Sequence, residues 1–203
     1  MLKRQQQLLL PKTRGWGGAR KGAGRKPNGP KPGVSHLPRP SLNARFPVHV
    51  TLRVRDHVYN LRSNRCFRVL ARSFERGRDK FGFRLNHFSV QGNHVHFVVE
   101  ANDKRALSRG MQGLAVRMAR ALNRVMGIKG AVFADHYHAR ILKTPTEVLN
   151  VLKYQLHNRD KHLRAPARVG AIDPRCSWAL AEPPTVAPRT WLLLRGWRRA
   201  SLT

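Results

Sequence analysis

Acidic residues are scarce in this 203-residue chain: 10 Asp and Glu stand against 40 Lys and Arg, a formal net charge of +30. Such a field excludes a strongly cationic partner and points to a polyanion, held in part by counterion release, although charge alone selects neither a sequence nor a chemistry. The first 55 residues contain no carboxylate at all and 13 Lys and Arg, Asp56 being the first acid. They are read as a basic arm. Cysteine is nearly absent. Cys66 and Cys176 lie far apart in unlike contexts, which excludes a disulfide framework or a paired-thiolate zinc site and leaves buried thiols in a reducing compartment. Long hydrophobic runs are also missing, and Leu8-Leu9-Leu10 is too short for a signal-peptide core or a membrane span. The expectation is a soluble cytoplasmic protein with no membrane partner. Its length suits one core-bearing domain of roughly 120 to 150 residues with extensions.

Three regions follow from composition. Residues 1–45 include GGARKGAGRKPNGPKPG, a Gly/Pro-rich basic stretch with little to build a core, and are expected to form a disordered N-terminal arm. Residues 46–164 carry regular patterning. Residues 165–203 form a basic C-terminal extension rich in Pro and holding Trp178, Trp191 and Trp197.

Within the central region, Val48, Val50, Leu52 and Val54 alternate with polar residues as in a half-buried strand. Phe67, Leu70 and Phe74 recur at helical spacing and predict a first helix over about 63–80. Two strands, from Arg84 to Val90 and from His94 to Glu100, flank Gln91-Gly92-Asn93, a suitable hairpin turn. Leu107, Met111, Leu114, Met118, Leu122 and Val125 make one apolar stripe, predicting a helix from Lys104 to Met126 that Gly127 stops. A strand over 132–142 should then lead to Thr144-Pro145-Thr146-Glu147, a capping box opening a third helix to about His162. The order of elements is that of an α+β, ferredoxin-like split βαβ antiparallel sheet with helices packed on it.

On a strand, residues i and i+2 share a face, so His94 and His96 offer two imidazoles to one ion while Val95 and Phe97 point to the core. A histidine pair alone is more often structural. In the third helix, Val148, Leu152 and Leu156 define one side, and Tyr154 falls nearly opposite, where packing does not demand an aromatic. Asn158 stands one turn further on. An exposed tyrosine beside a helix-terminal Asn is the plain alternative. His136-Tyr137-His138 is a second histidine pair at i, i+2 with a tyrosine between, and spacing does not exclude it.

Gly92-Asn93-His94-Val95-His96-Phe97-Val98-Val99-Glu100 and Tyr154-Gln155-Leu156-His157-Asn158, with Gly130-Ala131-Val132-Phe133 and His136-Tyr137-His138 between them, resemble the HUH single-tyrosine transposases. The likeness covers roughly Pro47 to His162 and is greatest to the REP-associated tyrosine transposase (RAYT) branch. It implies the HUH endonuclease fold and a divalent ion, Mg2+ or Mn2+, bound by His94, His96 and Asn158. Many members of the wider family carry Gln at the last position, and the RAYT branch Asn. The resemblance further implies Tyr154 as nucleophile on single-stranded, hairpin-bearing DNA, giving a 5′-phosphotyrosine, in a DNA-associated monomer or homodimer. It favours His94 and His96 over His136 and His138, and Tyr154 over Tyr137. A phenol ionises near pH 10, so the tyrosine needs help, for which His157 is a candidate. One departure is the run Asn158-Arg159-Asp160-Lys161-His162 where relatives often have Asn-Pro.

Two further groups are candidate DNA contacts. Gly24-Arg25-Lys26-Pro27 partly resembles an AT-hook without its usual core, so Arg20, Lys21, Arg25 and Lys26 are read first as phosphate contacts of a solvated tail. Arg117, Arg120 and Arg124 form a basic helix face suited to a DNA backbone, or simply to water. The competing functional class is a noncatalytic DNA- or RNA-binding protein in which the histidines only pack or touch phosphate.

Overall fold

A strand buries one face when every second residue is apolar, and β1 (Val48–Arg53) does so: Val48, Val50 and Leu52 are buried while His49, Thr51 and Arg53 stand on the other side. The computed structural model describes residues 40–157 and 172–200. Ser63 caps α1 (Asn64–Gly77) by accepting from the Cys66 amide at 3.3 Å, and Phe67, Leu70 and Phe74 bury its inner face. The chain continues through β2 (Asp79–Lys80), β3 (Phe83–Val90) and β4 (His94–Ala101). Asp103 then caps α2 (Lys104–Met126), and Gly127, in the left-handed region at φ 67°, ends it. Last come β5 (His138–Ile141) and α3 (Pro145–Leu156), which opens on the Thr144/Glu147 capping box with Pro145 in its first turn.

The sheet order is β2-β3-β4-β1-β5, and every pairing is antiparallel. With β4 inserted between β1 and β3, this is the expected split βαβ arrangement. The helices α1 and α2 cover one face, where Phe74, Phe88, Phe97, Leu114 and Met118 belong to a single apolar cluster. Gly110 lets α2 approach closely, since a Cβ there would stand 2.1 Å from Phe83 Cγ. On the opposite face Val98, Leu142, Val148, Leu152, Leu192 and Leu193 form a second cluster. Among the described residues no helix is long and apolar enough to cross a membrane.

Several boundaries differ from expectation for local reasons. The first helix ends at Gly77 because the chain turns into β2, a two-residue charged strand that apolar alternation does not reveal. Its turn, Phe81-Gly82, is left-handed at both positions, with φ 56° and 76°. The strand expected over 132–142 is regular only from His138 to Ile141, with an isolated bridge between Val54 and Phe133 before it. The third helix is regular to Leu156, with His157 leaving helical geometry at φ −111°, ψ 15°, and the rest of its expected run, residues 158–162, lies outside the described residues. Residues 1–39 of the predicted N-terminal arm lie outside the described residues, whereas its end, residues 40–45, is described and departs from the expected disorder, because Leu42 is buried in the main core.

Segment 172–200 packs onto the domain through two buried carboxylates. Asp173 receives both ends of the Arg62 guanidinium at 2.8 and 2.9 Å, the Gln91 side-chain amide at 3.1 Å and the Arg175 backbone amide at 2.9 Å. Its own amide donates to Leu156 at the end of α3, at 2.9 Å. Glu100 on β4 accepts the backbone amides of Arg189 and Thr190 at 2.7 to 3.0 Å, just ahead of π-helical Leu192–Gly196 and the short helix Trp197–Arg199. Trp178 stacks on His87 with ring centroids 4.6 Å apart.

Two tests follow. Asp173→Ala strands the Arg62 charge and should cost about 3 kcal/mol in urea unfolding, whereas Asp56→Ala, which removes an exposed 3.9 Å pair, should cost under about 0.5 kcal/mol; equal effects contradict the anchoring role. Burial pushes His87 down from 6.5 to about 4. The unfolded chain therefore binds more protons between those values, so His87 supports the fold above pH 6.5 and that support fades as pH falls toward 4. His49, lowered to about the same value, adds to the trend. An NMR titration of Trp178→Ala should show the His87 pKa returning toward 6.5.

Candidate functional site

Antiparallel register sets the site. Arg53 stands opposite His94, Thr51 opposite His96 and His49 opposite Val98, while β5 sets His138 against Thr51 and Arg140 against His49. Directly paired residues share a face, so these side chains line the sheet side that α3 partly covers. His94 is half-buried and His96 is 5% exposed. Their rings meet edge to face with centroids 4.7 Å apart.

The helix α3 anchors through Val148, Leu149 and Leu152, which leaves Tyr154 on its flank. There the phenol oxygen lies 3.4 Å from Nε2 of His96, with the rings edge to face at 5.1 Å. At the other ring nitrogen, Nδ1 of His96 has Thr51 Oγ1 at 3.1 Å and His49 Nε2 at 3.2 Å. His49 also stacks on His96, with centroids 5.3 Å apart and planes 22° from parallel. Nδ1 of His94 lies 2.7 Å from Oδ1 of Asn93. Burial, and to a lesser extent the charges of His138 and Arg140, push the His49 pKa down to about 4. His49 is therefore neutral at neutral pH.

His94, His96 and Tyr154 thus come together, within one chain. Asn158, Arg20, Lys21, Arg25 and Lys26 lie outside the described residues. His157 is exposed at the end of α3. Arg117, Arg120 and Arg124 belong to α2, on the other side of the sheet, with Arg117 half-buried and the other two exposed. The triplet His136-Tyr137-His138 is split. His136 and Tyr137 line a groove of about 610 Å³ against Met111, Gln112 and Val116 of α2, whereas His138 faces Thr51 in the sheet.

Among the described residues no three His, Cys, Asp or Glu side chains cluster to hold a metal. The His94 and His96 imidazoles still suit two positions of a divalent ion's shell, because both have Nδ1 occupied by a hydrogen-bonding partner within the protein. The sequence reading missed His49 and Thr51. Their signal was the polar phase of β1, the same alternation whose apolar phase marked the strand.

No curated protein sequence is significantly similar to the chain. A REP-associated tyrosine transposase, solved bound to a REP hairpin, shares the fold at a TM-score of 0.53 and 14% identity, over 65% of this chain and 76% of that one. A transposase candidate from Deinococcus radiodurans matches at a TM-score of 0.42 and 13% identity, over 59% of this chain and 92% of that one. The sequence profile of the family described as "Transposase IS200 like" matches residues 44–157, more than half of the chain and the whole stretch that carries β1, His94, His96 and Tyr154, so the chain belongs to the IS200-like transposases.

Proposed function

We propose that this protein is a metal-dependent transposase of the RAYT type that cleaves and rejoins single-stranded DNA at hairpin-bearing sites. The observation that carries the reading is the 3.4 Å approach of the Tyr154 phenol to Nε2 of His96, a nucleophile type beside a ligand type on a buried strand. His94, His96 and Asn158 would hold a divalent ion, Mg2+ or Mn2+, which would supply positive charge to the non-bridging oxygens of the scissile phosphate.

The chain's own residues do the rest. The Tyr154 oxygen attacks phosphorus, its O–P bond forms, and the bond from phosphorus to the 3′ oxygen breaks. The phenol loses its proton, for which His157 is the candidate acceptor, and the departing 3′ oxygen gains one. The product is a 5′-phosphotyrosine and a free 3′-hydroxyl. Because the covalent link conserves the ester, a 3′-hydroxyl from another strand can displace Tyr154 and restore DNA without ATP. The 3.4 Å approach of Tyr154 to His96 within one chain supports a site assembled in a monomer, a homodimer being the other arrangement. The hairpin substrate is transferred from the REP-associated relative, which was solved bound to a REP hairpin. Arg117, Arg120 and Arg124, with Arg20, Lys21, Arg25 and Lys26, are proposed as phosphate contacts.

Incubation with single-stranded hairpin oligonucleotides and Mn2+, followed by denaturing electrophoresis, should yield a protein–DNA adduct. Chelation should remove it, and His94→Ala should slow its formation on the order of 100-fold. Tyr154→Phe should abolish the adduct and Tyr137→Phe should retain it. Persistence of the adduct in Tyr154→Phe contradicts the assignment, and DNA binding with no adduct at all favours a noncatalytic binding protein.

A further inference from the structure

A neutral imidazole carries one ring proton, and the partner of one nitrogen decides which nitrogen keeps a lone pair. The two histidines of the site are held alike. His94 presents Nδ1 to the Asn93 side-chain oxygen at 2.7 Å, an atom that only accepts, so the proton belongs on Nδ1. His96 presents Nδ1 to His49 Nε2 and Thr51 Oγ1 at 3.2 and 3.1 Å, and Nε2 to the Tyr154 phenol at 3.4 Å. A phenol O–H donating to Nε2 again requires the proton on Nδ1.

We propose that His49, assisted by Thr51, is a positioning residue that fixes His96 in its Nδ1–H tautomer and so keeps Nε2, the nitrogen facing Tyr154, as the electron-pair donor to the divalent ion. This rests on the metal-dependent reading of the site. Two features make His49 suited to the task. Thr51 stands directly opposite His96 in the β1–β4 pairing and His49 lies two residues along the same face, so both come from the sheet itself rather than from a mobile loop. The His49 ring also stacks within 22° of parallel on His96, which fixes the plane of the imidazole as well as its proton. His49 approaches from the Nδ1 side, away from the phenol, so its place is behind the ligand rather than beside the nucleophile. Such outer partners commonly govern metal affinity nearly as strongly as the ligands themselves.

The test separates positioning from packing. In the metal-free protein above neutral pH, long-range 1H–15N NMR should report His96 as the Nδ1–H tautomer; an Nε2–H form overturns the proposal without any substitution. His49→Phe retains an aromatic ring but offers no acceptor, and Mn2+ affinity measured by electron paramagnetic resonance should fall about 10-fold or more. His49→Gln, whose amide oxygen can accept, should recover most of that loss. Unchanged Mn2+ affinity in His49→Phe, or equal loss in Phe and Gln variants with unchanged thermal melting, overturns the role of His49. A failure of the unaltered protein to bind Mn2+ or form the DNA adduct instead overturns the metal-dependent reading, while the tautomer measurement still decides the hydrogen-bond arrangement.

Discussion

Strand β4 is covered on both faces, and this double burial constrains everything around it. Toward α1 and α2 it sends Val95, Phe97 and Val99 into the main core; toward α3 it sends His96, Val98 and Glu100. A polar side chain on a buried strand needs partners, since an unsatisfied buried group costs about 1 to 3 kcal/mol. His96 finds them in His49, Thr51 and Tyr154, and Glu100 in the amides of Arg189 and Thr190. One strand therefore orders both the proposed chemistry and the docking of the C-terminal segment.

That coupling gives the C-terminal segment a physical role. Its Leu192 and Leu193 share an apolar cluster with Val148 and Leu152 of α3 and with Val98 of β4, while Asp173 is bonded both to Arg62 and to the carbonyl of Leu156. The helix that carries Tyr154 is thus held along its length and at its end. A nucleophile misplaced by about 1 Å can lose on the order of 100-fold in rate, so these distant contacts bear on the proposed reaction through geometry alone.

The helices and the hairpin were legible in the sequence because each has a local signal, as in the Leu107-to-Leu122 stripe and the Thr144/Glu147 box, and the succession of elements pointed to a split βαβ sheet. The pairing of His94 with His96 was legible for the same reason. What sequence could not supply was contact between strands distant along the chain. Thr51 meets His96 across 45 residues and His49 across 47, and no periodicity within β1 announces a partner in β4. The split of His136 from His138 was equally hidden, because it depends on the strand beginning only at His138. The third helix shows the converse limit. An apolar pattern marks where a helix can run but not where its backbone leaves helical geometry, as it does at His157; Asn158 lies outside the described residues.

The central claim is that one particular phenol becomes linked to DNA. The chain has three tyrosines, Tyr59, Tyr137 and Tyr154, so proteolysis of the adduct formed by the unaltered protein, followed by mass spectrometry of the nucleotide-bearing peptide, tests it most directly. The account predicts a phosphonucleotide on the peptide containing Tyr154 and on no other. Its attachment to Tyr59, Tyr137 or a hydroxyl of serine or threonine would contradict the account.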